Sequence, residues 1–169
     1  MFCQPYGINS VGQVVGFAFT EDTVEHAVQW MGGTITDLGT LPGDASSLAE
    51  AINEAGTIVG ASVPADGTSR AVVWENGVIA DIGESSRYRT TDAKAINNSG
   101  EIVGQAQLFT RNDPQAVRFA DGDVIDLDTE VSNLGGWKLI TARSINDSGV
   151  IVGVGRLEGQ IHGFMLFPQ

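Results

Sequence analysis

The chain has 169 residues, 42% of them hydrophobic, with 22 glycines, five prolines and only 7% aromatic side chains. That length and content suit one domain, 1–169, made of short strands and tight turns with little helix. Nine Lys and Arg against 21 Asp and Glu leave a net charge of −12, and no Lys or Arg precedes Arg70; without a cationic face, neither nucleic acid nor an anionic membrane surface is an expected partner.

At the N-terminus, Met1-Phe2-Cys3-Gln4-Pro5 has neither the basic start nor the apolar run of an export signal. No later stretch is apolar for the length of a spanning helix, so membrane insertion is not expected. Cys3 is the sole cysteine, which excludes an intrachain disulfide and a thiolate metal cage. Of the acidic loops, Asp121-Gly122-Asp123 comes nearest to a calcium-binding pattern, and it reads better as a hairpin turn. No metal and no cofactor is expected.

The phrase Ile-Asn-x-x-Gly-x-[Ile/Val]-Val-Gly begins at Ile8, Ile52, Ile96 and Ile145, with its asparagines spaced by 44, 44 and 49 residues. Such a period is the length of one small β-unit in a repeat architecture. Asn and Gly stand three apart in Asn9…Gly12, Asn53…Gly56, Asn97…Gly100 and Asn146…Gly149. Asn caps a type I turn and Gly accepts the left-handed residue after it, so each pair predicts a tight hairpin. The Val-Gly segments that follow are apolar on both faces, as a strand covered on two sides would be.

A second hairpin follows in the first three units. Strands ending at Trp30, Trp74 and Phe119 run into Gly32-Gly33, Asn76-Gly77 and Asp121-Gly122, dipeptides suited to the type I′ turn. The return strands Thr34 to Leu38, Val78 to Ile82 and Asp123 to Leu127 close on Asp37, Asp81 and Asp126, each followed by an aliphatic residue. The fixed register of Trp30, Trp74 and Phe119 places them in packing between repeats. Four short antiparallel strands per unit predict an all-β fold in a propeller-like arrangement, with a β-solenoid or β-sandwich as alternatives. The repeats fall at about 4–47, 48–92, 93–140 and 141–169.

The last unit departs from the pattern. An insertion, Asp128 to Leu139, precedes it, and its Asp-Leu strand is missing, so about fifteen strands are expected. An open sheet edge needs cover. The segment Phe2 to Pro5 is one candidate for the missing strand, and a second copy forming a homodimer through the open edge is another.

The combination of Ala-Ile-Asn-x-x-Gly-x-Ile-Val-Gly at Ala51 and Ala95, His-Ala-Val with a Trp at His26 to Trp30, and Asp-Leu-Gly-Thr-Leu at Asp37 to Leu41 resembles the HAF family of probable extracellular bacterial repeats. The resemblance covers nearly the whole chain, and the ending, with Gly-Trp-x-Leu before the fourth phrase, looks like that family's final repeat. It implies an extracellular or secreted setting and no particular activity. Arg70 and Gln115 depart from the His, Gly163 from the Ala, and Asp128 from the Gly of the pattern.

His26 and His162 invite a metal or acid–base hypothesis, but Arg70 and Gln115 occupy the same place in the other repeats. A polar rim fits all four. If the units surround an axis, these side chains line one end of it and form the best binding surface the sequence offers. Trp137 lies outside the repeat register and is the one Trp to consider as an exposed platform. Asp37, Asp81 and Asp126 recur at one position, which marks strand-end hydrogen bonding rather than an unequal catalytic pair, and no Gly-x-Ser-x-Gly is present. Asn97-Asn98-Ser99 and Asn146-Asp147-Ser148 match the glycosylation sequon by coincidence of turn sequence. The expectation is a non-enzymatic β-repeat module for protein or carbohydrate recognition, or a structural one. The competing reading is a polysaccharide hydrolase or lyase using acidic loop residues.

Overall fold

A computed structural model of the protein describes residues 2–110 and 113–168. Four antiparallel sheets follow one another along the chain, each with its strands in sequence order. Unit 1 contains β1 (Cys3–Ile8), β2 (Val14–Phe19), β3 (Glu25–Met31) and β4 (Thr34–Asp37). Unit 2 contains β5 (Ser46–Ile52), β6 (Ile58–Val63), β7 (Arg70–Glu75) and β8 (Val78–Asp81). Unit 3 contains β9 (Tyr88–Ile96), β10 (Ile102–Leu108), β11 (Pro114–Ala120) and β12 (Asp123–Asp126), and unit 4 only β13 (Lys138–Ile145), β14 (Ile151–Leu157) and β15 (Gln160–Leu166). Among the described residues the helical content is one turn, α1 (Leu127–Glu130), within the expected insertion.

Both sets of turns form for the reasons their residues give. Gly12, Gly56, Gly100 and Gly149 have φ of 81°, 85°, 83° and 74°, and each donates its N–H to the carbonyl of the turn's asparagine at 2.9–3.1 Å. At the second hairpins, both central residues lie at positive φ, as a type I′ turn requires: Gly32 and Gly33, Asn76 and Gly77, Asp121 and Gly122.

The glycine that ends each phrase has a different purpose. In every unit the first strand carries a bulge opposite it, at Tyr6, Glu50, Lys94 and Arg143. The bulge pushes a first-strand carbonyl onto the glycine. A Cβ on Gly16, Gly60, Gly104 or Gly153 would stand 1.9–2.1 Å from the carbonyl oxygen of Gln4, Leu48, Asp92 or Thr141, closer than any side chain is tolerated.

Consecutive units pack face to face. Val15, Ala27, Ile52, Ile58 and Trp74 join units 1 and 2; Val59, Ala71, Ile96 and Phe119 join units 2 and 3; Val103, Ala116, Leu127, Ile145, Ile151 and Phe164 join units 3 and 4. Trp74 and Phe119 are buried in these layers as expected, and the Trp74 indole N–H also donates to Leu38 O of the preceding unit at 2.9 Å. Trp30 is only half-buried, because no described unit precedes its own.

The asparagines form a ladder. Asn9 Nδ2 donates to Asn53 O at 3.2 Å, Asn53 Nδ2 to Asn97 O at 3.2 Å, and Asn97 Nδ2 to Asn146 O at 3.1 Å. Each Oδ1 meanwhile accepts the N–H four residues on, from Gln13, Thr57, Glu101 or Val150. A parallel row runs beside it: Ser10 N–H donates to Glu54, Glu54 N–H to Asn98 Oδ1, and Asn98 N–H to Asp147 Oδ1.

Two details of chain course differ from expectation. Cys3–Ile8 pairs with β2 of its own unit and so does not replace the missing strand of unit 4; its repeat of the bulge shows it to be an ordinary first strand. The sheets also begin earlier than the repeat boundaries drawn from sequence, with β5 starting at Ser46 and β9 at Tyr88, because each first strand runs several residues ahead of its Ile-Asn.

Gly60→Ala is expected to cost about 3 kcal/mol or more by chemical denaturation, since the clash is with backbone. Gly77→Ala, at φ 78° with open space around it, should cost only about 1 kcal/mol. Hydrogen bonds from the Asn98 backbone and side chain hold the Asp147 carboxyl below the ordinary aspartate value. A lowered folded value means this link is intact above the unfolded value and lost as pH falls through the folded one. The Asn98 amide resonance should therefore titrate with a midpoint below that of an unstructured aspartate, and Asp147→Asn should abolish the titration.

Candidate functional site

The rim positions hold the same place in all four sheets, each lying opposite the fourth residue after the start of the second strand: His26 to Ala18, Arg70 to Ser62, Gln115 to Ala106 and His162 to Gly155. In units 1 to 3 the strand-end aspartate completes the arrangement. Its Oδ1 accepts the N–H two residues on, Gly39 for Asp37, Gly83 for Asp81 and Asp128 for Asp126, at 2.8–3.0 Å. Its Oδ2 meets the rim residue: His26 Nδ1 at 2.8 Å, Arg70 Nη1 at 3.5 Å and Gln115 Nε2 at 2.9 Å. The chemically unlike rim residues thus share one task, steadying the corner where the chain leaves for the next unit. Among the described residues no hydrogen bond or ion pair joins any two of the four, and no group of His, Cys, Asp and Glu is arranged as a metal site.

Unit 4 has no such aspartate. His162 is exposed and instead meets Trp137 edge to face, ring centres 6.0 Å apart. Trp137 is itself half-buried, with its ring over Gly155, so it closes the end of unit 4 rather than standing free as a platform. The sequon asparagine Asn97 is buried and committed to the ladder.

Where the repeat is broken, the junctions differ. Between units 2 and 3 a cleft of about 300 Å³ is lined by Arg70, Asp81, Gly83, Tyr88 and Arg89. Arg70 pairs at 2.5 Å with Asp44, which precedes β5 of its own unit, and burial raises the Tyr88 phenol above its ordinary value. At the next junction the cleft grows to about 610 Å³, lined by Arg87, Phe109, Gln115, Asp126, Asp128 and Lys138 among others. Here the shorter Gln115 stands in the place of Arg70, and Asp128 replaces the glycine of the corner.

The polar groups of the larger cleft are tightly arranged. Asp126 is buried, and its Oδ2 takes both Gln115 and Arg87, the latter at 3.4 Å. Asp128 accepts the Leu139 N–H at 3.0 Å and faces Lys138 Nζ at 3.3 Å. Gln115 Oε1 is buried without a hydrogen-bond partner, an acceptor that a ligand donor would satisfy. Phe109 stands 65% exposed at the cleft's edge. Of this constellation the sequence marks Gln115 as a rim position, Asp126 as a strand end and Asp128 as a departure from the repeat; nothing in the local sequence of Arg87, Phe109 and Lys138 marks them. No family model matches the chain, and neither does any curated protein.

Asp126→Ala should destabilise the protein by about 2–3 kcal/mol, because it strands a buried amide and frees a guanidinium. Asp37→Ala, at a side chain 54% exposed, should cost about 1 kcal/mol or less in the same denaturant series.

Proposed function

We propose that this chain is a non-enzymatic β-repeat recognition module that binds carbohydrate in the cleft between units 3 and 4, its four sheets set in a propeller-like arrangement. The carrying observation is the cleft itself. At one junction of a regular array, an exposed phenyl ring stands beside a buried free acceptor, two carboxylates, a guanidinium and an ammonium. A sugar presents C–H faces suited to an aromatic ring and hydroxyls that both donate and accept, which is the mixture of apolar surface and convergent polar groups typical of small-ligand sites. The propeller-like reading is supported by the stacking of first strands β1, β5, β9 and β13 on one another. The resemblance to the HAF repeats supports an extracellular setting, where polymeric sugars are the common surface.

A polysaccharide hydrolase is the weaker reading. Asp126 and Asp128 are the cleft's carboxylates, and every oxygen of both accepts a hydrogen bond or faces a cation. A general acid must instead hold a proton.

The test is a glycan array followed by calorimetry on the best ligand. Phe109→Ala and Gln115→Ala should each weaken binding about tenfold or more, the value of roughly 1.4 kcal/mol, with the fold intact by circular dichroism. Glycan cleavage abolished by Asp126→Asn would overturn the assignment in favour of the hydrolase, and binding unaffected by both cleft variants would remove the cleft from the reading.

A further inference from the structure

The contact between consecutive units is made three times within the chain, and each half of it is left bare once. On unit 1, Ile8 is 68% exposed, whereas its equivalents Ile52, Ile96 and Ile145 are 8%, 9% and 8% exposed against the preceding unit. Ile35 lies bare on the same face, and Trp30 half-bare, where Trp74 and Phe119 are buried. On unit 4 the opposite half is open. Val15, Val59 and Val103 are fully buried by the following unit, but Val152 is only partly covered and Met165 beside it is 57% exposed.

The polar rows stop at the same two faces. Asn146 Oδ1 accepts Ser148 and Val150 N–H, as Asn97 Oδ1 accepts Ser99 and Glu101 N–H, yet Asn146 is exposed while Asn9, Asn53 and Asn97 are buried. Its amide is the next donor of the ladder, and Asn9 O, which takes only the Gly12 N–H in its own turn, is the matching acceptor. In the second row, Asp147 N–H occupies the donor position and Ser10 Oγ the acceptor position.

The bulge residues form a third row. Within it, Lys94 pairs with Glu50 of the preceding unit at 2.6 Å. The row begins at Tyr6, 45% exposed, and ends at Arg143, also exposed. Laid end to end, guanidinium meets phenol ring, a favourable cation–π contact, and no like charges are opposed.

We propose that the chain associates head to tail with a second copy of itself, unit 4 of one copy seating on unit 1 of the next through the contact that already joins consecutive units. The interface is heterologous, so it closes into a ring or extends as a filament according to the rotation per copy. It commits both ends of the ladder and buries Ile8, Trp30, Val152 and Met165.

The sole cysteine supplies a direct probe. Cys3 stands in the register of Ser47 and Thr91, whose hydroxyls accept Ala27 and Ala71 N–H of the preceding unit at 2.9 Å. Gly163 stands in the register of Ala27 and Ala71, and a Cβ there would meet Gly153 O at 3.8 Å, an ordinary contact. In the proposed contact Gly163 of one copy therefore faces Cys3 of the next. Sedimentation of the unaltered chain across a micromolar concentration series should show species of two or more copies. Ile8→Glu, at a side chain exposed within one copy, should raise the dissociation constant tenfold or more without altering the circular dichroism spectrum. Under mild oxidation Gly163→Cys should give covalently linked copies on a non-reducing gel, and adding Cys3→Ser should abolish them. A chain monomeric at every concentration overturns the proposal, as does association indifferent to Ile8→Glu, or a disulfide that forms within one copy instead of between two.

Discussion

An asparagine that closes its own turn with one end of its amide and grips the neighbouring turn with the other is the contact on which this architecture depends. A buried primary amide has two donors and two acceptor sites to satisfy, and Asn97 satisfies all four: Asn146 O and Glu101 Oε2 take its protons, while Ser99 and Glu101 N–H reach its oxygen. Each bond contributes only about 1 kcal/mol net, but leaving such a group unpaired costs about 1–3 kcal/mol. The ladder therefore works mainly as a constraint on spacing and register. A unit slid along its neighbour would strand an amide in each buried rung, whereas apolar packing alone would tolerate small slips.

The bulge and its glycine make that rung possible. Inserting Tyr6, Glu50, Lys94 or Arg143 bends the first strand inward over the second, and only a residue without Cβ can lie beneath the displaced carbonyl. Hydroxyls on the first strands then sew the units together: Ser47 accepts from Ala27 N–H and donates to Gly39 O, and Thr91 does the same for Ala71 and Gly83. At the third junction, Asp128 takes over by accepting Leu139 N–H. That change of device coincides with α1, whose start is capped by Asp126, and with the cleft of about 610 Å³.

How much of this was legible in the sequence follows from which features repeat. Asn53…Gly56 and Asn76-Gly77 carry their turn chemistry in the residues themselves, so hairpins, strand order and the all-β class followed directly. The fifteen strands agree with the expected number among the described residues. The bulge did not show, because Tyr, Glu, Lys and Arg share no property; only the carbonyl overhead explains why the phrase ends in glycine. The tight turn at Glu158 and Gly159, with φ of 50° and 82°, was hidden for a similar reason, since glutamate is a poor left-handed residue and units 1 to 3 place longer loops there. Phe2 to Pro5, one of the two candidates for the missing strand, belongs instead to the first strand of unit 1, which is more exposed than its equivalents.

The rim shows how conserved geometry and changing chemistry coexist. An aspartate corner that takes a hydrogen bond from imidazole or carboxamide, or an ion pair at 3.5 Å from guanidinium, places no demand for one donor type on the residue opposite. Size then becomes the free variable. Arg70 extends past Asp81 to Asp44 of its own unit, while Gln115 stops at Asp126, beside a cleft with an unsatisfied acceptor in its wall. Together with the insertion that carries α1 and Lys138, this change leaves an open corner without disturbing the ladder beside it. The junction surfaces can therefore diverge one by one, while Asn, Gly and bulge keep the units in step.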